Sequence, residues 1–189
     1  MMTTNDFFSK RRAGILLHIT SLPGTPGNGT LGSQAYNFVD FIHNCGLSVW
    51  QVLPICPPHV LPPDKQGSFY QDFLSPYQCQ SAHAGNSLLI DLEKLVKKGW
   101  LRENDDSNVC ASNKPLNYRC NQLKEAYKGF AKNADDAELV EYKKFVNKHK
   151  YWLNDYALFR TLKDKHDNNT WWNWPLKYRD YSQSGMAEI

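Results

Sequence analysis

Two short apolar runs joined by one amphipathic segment constrain the fold of this chain more than any other feature. The runs cover residues 13–19 and 47–54, and their lack of polar alternation is typical of strands buried on both faces. The segment between them carries apolar residues at helical spacing: Ala35, Phe38, Val39 and Ile42. We expect Ser33 to cap this helix and Gly46 to end it. A strand, a short helix and a strand in this order predict a βαβ unit with parallel strands.

A long proline-rich loop follows the second run. Prolines at 57, 58, 62, 63 and 76 exclude regular structure there, while aromatic residues between 69 and 77 favour an ordered, functional loop. A short helix is predicted at residues 92–98, closed by Gly99. From about residue 117 the apolar spacing predicts three helices: one with a stripe from Leu123 to Phe130, one capped by Asp135 or Asp136, and one over about 151–166.

Charge and cysteine content limit the function classes. The 189 residues carry a formal net charge of +3, with lysines spread among acids, which argues against a nucleic-acid partner. The opening residues 1–12 read as a polar leader without the apolar run of a secretory signal, and no apolar stretch is long enough to cross a membrane. Five cysteines without C-x-x-C spacing favour a reducing cytoplasm, and no residues show the ligand spacing of a metal site.

Few residues suggest chemistry by themselves. His18, at the end of the first run, could be a catalytic base, but a satisfied core or shell histidine is the commoner case. Isolated carboxylates could belong to a glycosidase pair or serve as caps and surface groups: Asp40, Asp72, Asp91, Asp105 and Asp106. Tyr77 beside Ser75 and Gln78 combines an aromatic face with polar neighbours, which suits a sugar ring, although Tyr77 could equally anchor its loop. Tryptophans near the end of the chain could form a sugar platform or pack as anchors: Trp171, Trp172 and Trp174.

Several ordered motifs resemble one enzyme family. Residues 18–24 read His-Ile-Thr-Ser-Leu-Pro-Gly, residues 50–54 read Trp-Gln-Val-Leu-Pro, and residues 75–78 read Ser-Pro-Tyr-Gln. Ala-Gly-Asn at 84–86 and Trp-Leu-Asn-Asp-Tyr-Ala-Leu-Phe at 152–159 follow in the same order. Across about residues 11–180 the chain resembles the amino-terminal part of 4-α-glucanotransferases, the amylomaltases or disproportionating enzymes of glycoside hydrolase family 77. It departs from them at Ile19, where they have proline, and at residues 73–74, where they have Gly-Asp.

The resemblance implies an α/β fold: an incomplete amino-terminal portion of a (β/α)8 barrel, its first two strand–helix units, with an inserted helical subdomain. The corresponding domains would be the leader 1–12, the barrel-derived part 13–99 and a helical insertion 100–189. It also implies that Tyr77 stacks under the sugar at the cleavage point, with Ser75 and Gln78 beside it. His18 and Asn86 are weaker substrate-binding candidates.

By the same resemblance, the reaction is a retaining transfer of α-1,4-glucan segments between maltodextrins, without cofactor or metal. Its Asp nucleophile, Glu acid/base and second Asp are expected beyond Ile189, so no catalytic residue is assigned here and the isolated chain is expected to be inactive. The expected partners are an α-1,4-glucan and the remaining carboxy-terminal part of the enzyme. The alternative is a noncatalytic glucan-binding or partner-binding remnant of a split or truncated gene.

Overall fold

The computed structural model describes residues 9–24, 28–59, 75–103 and 115–179. The strands in these ranges are β1 (Gly14–Leu16) and β2 (Val49–Gln51). The α-helices are α1 (Ser33–Asn44), α2 (Leu92–Lys97), α3 (Pro115–Asn133), α4 (Asp136–Lys165) and α5 (Leu176–Arg179). Single 3₁₀ turns lie at Ile19–Ser21, Ser87–Leu89 and Trp171–Asn173.

The two strands pair in parallel, with α1 as the crossover between them. Gly14 lies opposite Val49, and Leu16 lies opposite Gln51. Trp50 fixes this unit from the middle of β2, because its indole Nε1 donates to the carbonyl of Leu17 at 2.8 Å. Its ring also meets Phe38 of α1 edge-on, with centroids 4.9 Å apart. The predicted parallel βαβ unit is confirmed, and the chain has a small parallel α/β architecture.

The strands are shorter and more open than their apolar runs predict. Each spans three residues, and Leu16 is 58% exposed while Val52, just after β2, is 37% exposed. The prediction of strands buried on both faces is therefore wrong for this structure. The described sheet has only two strands, and so narrow a sheet offers too few neighbours to cover both of its faces.

The start of α1 also differs from the prediction. Gly32, not Ser33, holds the N-cap position, and Ser33 is the first helical residue. The carboxylate of Asp91 lies against Gly32 and occupies the space that a Cβ at this position would need. Gly46 and Gly99 end α1 and α2 as predicted, with left-handed φ values of 75° and 71° that suit glycine.

One long helix replaces the second and third helices predicted after residue 135. α4 runs without interruption from Asp136 to Lys165. Its aromatic residues follow alternating steps of four and three, and neighbouring ring centroids are 4.5 to 6.1 Å apart: Phe145, His149, Trp152 and Tyr156. No glycine or proline lies between Asp136 and Lys165, so nothing in the backbone ends the helix near residue 150.

The chain forms two compact units. The first unit comprises Met1–Ile55 and Asn86–Asp135, and the second comprises Cys56–Gly85 and Asp136–Ile189. Buried side chains of the first unit include Ile19, Ile42 and Leu89. The second unit has a core of Leu162, Trp174 and Tyr178, against which Leu158 and Phe159 pack. Both units cross the boundary between residues 99 and 100 that the sequence suggested, and that division stays a prediction.

Some predicted features lie outside the described residues. They are most of the leader, most of the proline-rich loop and the tail after residue 179, together with Asp72, Asp105, Asp106 and Cys110. Among the helices that are described, none combines the length and apolar character that crossing a bilayer requires.

Candidate functional site

The predicted sugar-binding residues form a tight turn in the second unit. The Oγ of Ser75 accepts the Tyr77 backbone N–H at 3.3 Å, and the Ser75 carbonyl accepts that of Gln78 at 3.1 Å. The Cys79 thiol donates to the Pro76 carbonyl at 3.0 Å. The polar groups of the turn therefore satisfy one another, which fixes the backbone on which Tyr77 is carried.

Tyr77 projects from this turn into open space. Its side chain is 71% exposed, Gln78 is also exposed, and Ser75 is half-buried. An exposed phenol ring supported by a hydrogen-bonded turn can stack on the apolar C–H face of a sugar, while the Gln78 amide can bond to hydroxyl groups. The alternative in which Tyr77 anchors its loop to the core requires a buried ring, and the ring is not buried.

The backbone on either side of the turn is bonded to the segment that follows β2. The His59 N–H donates to the Gln78 carbonyl at 2.7 Å, and the Gln80 N–H donates to the Pro57 carbonyl at 2.9 Å. Pro58 and Cys79 form an antiparallel bridge between these two hydrogen bonds. The turn is thus the end of a short two-stranded ladder, although no strand was predicted on either side.

Arg160 of α4 adds a side-chain support that the sequence analysis missed. Its guanidinium donates to Oε1 of Gln80 at 2.8 Å and to the carboxylate of Asp164 at 3.0 Å. The spacing of Arg160 and Asp164 signals a pair on one helix face. The contact of Arg160 with Gln80 joins residues 80 positions apart, so no local spacing in the sequence predicts it.

His83 forms a second support on the same helix. Its imidazole stacks on Trp152 with centroids 5.8 Å apart and planes inclined by 23°, and it meets Tyr151 edge-on at 5.8 Å. Ser81 orients this segment because its hydroxyl accepts the backbone N–H groups of His83 and Ala84, both at 3.1 Å. The hydrogen bond of Gln80 and the aromatic contacts of His83 thereby hold residues 75–84 to α4.

His18 and Asn86, the weaker candidates, belong to the first unit. His18 is half-buried, its Nδ1 has no hydrogen-bond partner within the described ranges, and burial lowers its pKa below the ordinary 6.5. The imidazole is therefore neutral at pH 7. The Asn86 side chain accepts the Leu88 N–H at 3.0 Å and caps the 3₁₀ turn at Ser87–Leu89. Asn86 thus has a structural task, and its contact with sugar stays a prediction.

Two of the carboxylates that the sequence analysis considered, Asp91 and Asp40, lie in the described residues. Asp91 is buried as the N-cap of α2, where it accepts the Lys94 N–H at 3.1 Å and the Thr30 hydroxyl at 3.2 Å. Asp40 is exposed on α1. The interpretation of Asp91 as a cap is confirmed.

The tryptophans near the end of the described chain have separate roles. Trp174 is buried, 6% exposed, and contributes to the core of the second unit with Leu162 and Tyr178. Trp171 and Trp172 are exposed and meet edge-on with centroids 5.8 Å apart. The packing interpretation holds for Trp174 alone.

A cleft of about 740 Å³ opens in the first unit. Its walls include Thr30, Asp91, Arg102, Tyr118 and Gln122, and none of the predicted substrate-binding residues lines it. Across the described ranges, no three His, Cys, Asp or Glu side chains are grouped as ligands for a metal ion. The turn at residues 75–78 remains the candidate site.

Comparison with known proteins supports one family. The family profile described as 4-alpha-glucanotransferase matches residues 17–189. Curated 4-alpha-glucanotransferases of Aquifex aeolicus and Thermus thermophilus are each 38% identical to the chain, over 95% and 94% of its length. The solved amylomaltase from Streptococcus agalactiae in complex with acarbose superposes with a TM-score of 0.73 at 34% identity, over 89% of this chain. The chain spans about a third of these proteins: 34% of both curated relatives and 32% of the solved structure.

Proposed function

The chain belongs to the 4-alpha-glucanotransferase family, and from this premise we propose that its second unit supplies a glucan-binding turn to an enzyme of that activity. The turn at residues 75–78 presents Tyr77 as a platform for one glucose ring of an α-1,4-glucan. The observation that carries the proposal is the 71% exposure of Tyr77 on a turn whose own polar groups are satisfied. The solved relative holds acarbose, which supports a carbohydrate as the ligand class.

The remaining features of the family resemblance belong to the same proposal. The parallel βαβ unit is the beginning of a (β/α)8 barrel, residues 100–189 are a helical insertion, and sites of such barrels lie at the carboxyl ends of the strands. The reaction is a double displacement in which a carboxylate attacks the anomeric carbon and a second carboxyl group protonates the leaving oxygen. Those carboxylates belong to the two-thirds of the relatives that this chain does not match. The cysteine content supports a reducing compartment such as the cytoplasm.

Glucan binding by the 189-residue polypeptide tests the role of Tyr77. Maltoheptaose is titrated by calorimetry into the wild type, Tyr77→Ala and Tyr127→Ala. Tyr127, 65% exposed on α3, is the matched control. We expect saturable binding that weakens about 2- to 10-fold in Tyr77→Ala, the range that an aromatic contact supplies, and stays unchanged in Tyr127→Ala. Equal binding by all three proteins would leave Tyr77 without a substrate role.

Turnover separates the enzyme fragment from a binding remnant. Incubated with maltotriose, the polypeptide is expected to release no glucose above the protein-free blank, since the proposed carboxylates are absent. Mixed with a separately expressed carboxy-terminal part of the Thermus thermophilus relative, it is expected to restore transfer if it is one part of a divided barrel. Binding without restored transfer would favour a noncatalytic glucan-binding role.

A further inference from the structure

Two cysteines flank the ladder that supports the candidate turn. Cys56 and Cys79 are both half-buried and both belong to the second unit. Each directly precedes one partner of the 2.9 Å hydrogen bond between the Gln80 N–H and the Pro57 carbonyl. Cys79 also pairs with Pro58 in the antiparallel bridge. The backbone therefore brings the two residues onto adjacent segments, diagonally across this bridge, although 22 residues separate them in sequence.

Their thiols also influence each other. Burial raises the pKa of Cys79 above its ordinary value, and the neighbouring Cys56 thiol raises it further. A disulfide requires the two sulfurs to approach to a bond length of about 2.05 Å. Neither thiol serves the glucan chemistry proposed above, so the pair is available for a separate role.

We propose that Cys56 and Cys79 form a reversible disulfide when the protein meets an oxidised low-molecular-weight thiol such as oxidised glutathione. One cysteine thiolate attacks the glutathione disulfide, forms a mixed disulfide and releases one glutathione thiolate. The second cysteine then attacks the protein-bound sulfur and releases the other glutathione. Overall, two protein thiols and one glutathione disulfide become one protein disulfide and two glutathione molecules.

Oxidation also changes the turn that carries Tyr77. In the reduced protein the Cys79 thiol donates its hydrogen to the Pro76 carbonyl at 3.0 Å. A disulfide sulfur has no hydrogen to donate, so the turn loses this bond while Cys79 is drawn towards Cys56. On the proposed function, on which this consequence rests, the oxidised protein binds α-glucan more weakly than the reduced protein.

The experiment uses a full-length variant that keeps only this pair: Cys45→Ser, Cys110→Ser and Cys120→Ser. Cys45 and Cys120 are exposed, so their replacement is mild. The matched control adds Cys56→Ser. Both proteins, and the wild type, are incubated with oxidised glutathione at pH 7 and pH 8.5, and peptide mass mapping without reduction identifies every disulfide and glutathione adduct.

We expect the wild type and the pair-only variant to lose two hydrogens and to yield a Cys56–Cys79 peptide. We expect faster closure at pH 8.5, where more thiolate is present, and reversal by dithiothreitol. The control with the added Cys56→Ser should form a glutathione adduct on Cys79 and no disulfide within the chain. Other pairings in the wild type, or adducts without closure in the pair-only variant, would overturn the proposal.

Maltoheptaose titration of the oxidised and reduced pair-only variant tests the link to the turn. A severalfold loss of affinity on oxidation, recovered on reduction, is the expected result. A Cys56–Cys79 disulfide with unchanged affinity would refute the link. Absence of binding in the reduced protein would refute the proposed function instead, while the mass map would still decide on the disulfide.

Discussion

Asp91 stabilises two parts of the first unit with a single carboxylate. One oxygen caps α2 through the Lys94 N–H, and the other accepts the Thr30 hydroxyl and lies against Gly32 at the start of α1. The close approach is possible because Gly32 has no Cβ. Aspartate is a common N-cap, so the first contact follows from local sequence, whereas the second depends on a partner 61 residues away.

Replacing Gly32 with alanine is expected to destabilise the protein by about 1–3 kcal/mol, because the new methyl group collides with the Asp91 carboxylate. Gly85 is the matched control, since its added Cβ would meet nothing within 4 Å. Gly85→Ala should change the free energy of unfolding by no more than about 1 kcal/mol, in either direction. Urea denaturation of the three proteins measures the difference. Equal stability of both variants would contradict the contact between Gly32 and Asp91.

His18 is expected to make the protein less stable below pH 6.5. Burial lowers its pKa in the folded state, so in this range the unfolded chain binds a proton that the folded protein resists. The free energy of unfolding therefore falls as the pH falls through 6.5 towards the folded pKa, and this penalty is absent above 6.5.

Thermal melting between about pH 5 and pH 7.5 checks this expectation. His18→Gln should flatten the pH dependence relative to the wild type. His43→Gln, at an exposed position on α1, should leave the slope unchanged. A wild-type slope that survives in His18→Gln would assign the acid sensitivity to another group.

At the scale of elements, α4 shows how a correct pattern led to a wrong boundary. The aromatic stripe of residues 145–159 keeps steps of three and four across residue 150, which is typical of one continuous helix. The prediction nevertheless began a new helix at about residue 151, although no glycine or proline marks a break there. His83 contacts Trp152 of this helix and Gln80 contacts Arg160 of it, so the helix also supports the candidate turn.

A proline at residue 150 distinguishes one helix from two. In a continuous helix, Lys150→Pro removes a backbone hydrogen bond and clashes with the preceding turn, at a cost of about 3 kcal/mol or more. A junction between two helices would tolerate it. Lys150→Ala, at the same exposed position, controls for loss of the lysine side chain and should be close to neutral. Urea denaturation with circular dichroism measures both variants.

At the scale of the whole molecule, we expect uneven stability. β1 and β2 have three residues each, and apolar side chains at Leu16 and Val52 are exposed beside them. The long helices α3 and α4 instead rely on local hydrogen bonds. Because a narrow sheet with open edges is easily frayed, opening should require less free energy there than in the helices.

Native-state hydrogen exchange followed by mass spectrometry measures this difference. We expect protection concentrated in α3 and α4, with fast exchange across residues 14–16 and 49–51. Association that rises with protein concentration should protect the strands, since the exposed apolar residues would then be covered. Uniform protection in a dilute monomer with one sharp melting transition would contradict the expected difference in stability between the strands and the helices.

The sequence by itself determined the features that depend on neighbouring residues. Apolar spacing predicted the parallel βαβ unit, Gly46 and Gly99 predicted the ends of α1 and α2, and the prolines and aromatic residues after β2 predicted a long ordered loop that includes residues 75–78. These are local because spacing and backbone preference act within a few residues.

Only the tertiary structure decided which distant groups meet. It placed Asp91 against Gly32, Arg160 on Gln80, His83 on Trp152, and the segment of Cys56 beside that of Cys79. It also determined that the side chains of Tyr77 and Leu16 are exposed. Such outcomes depend on how chain segments 20 to 80 residues apart come together, and side-chain burial follows from that packing rather than from local spacing.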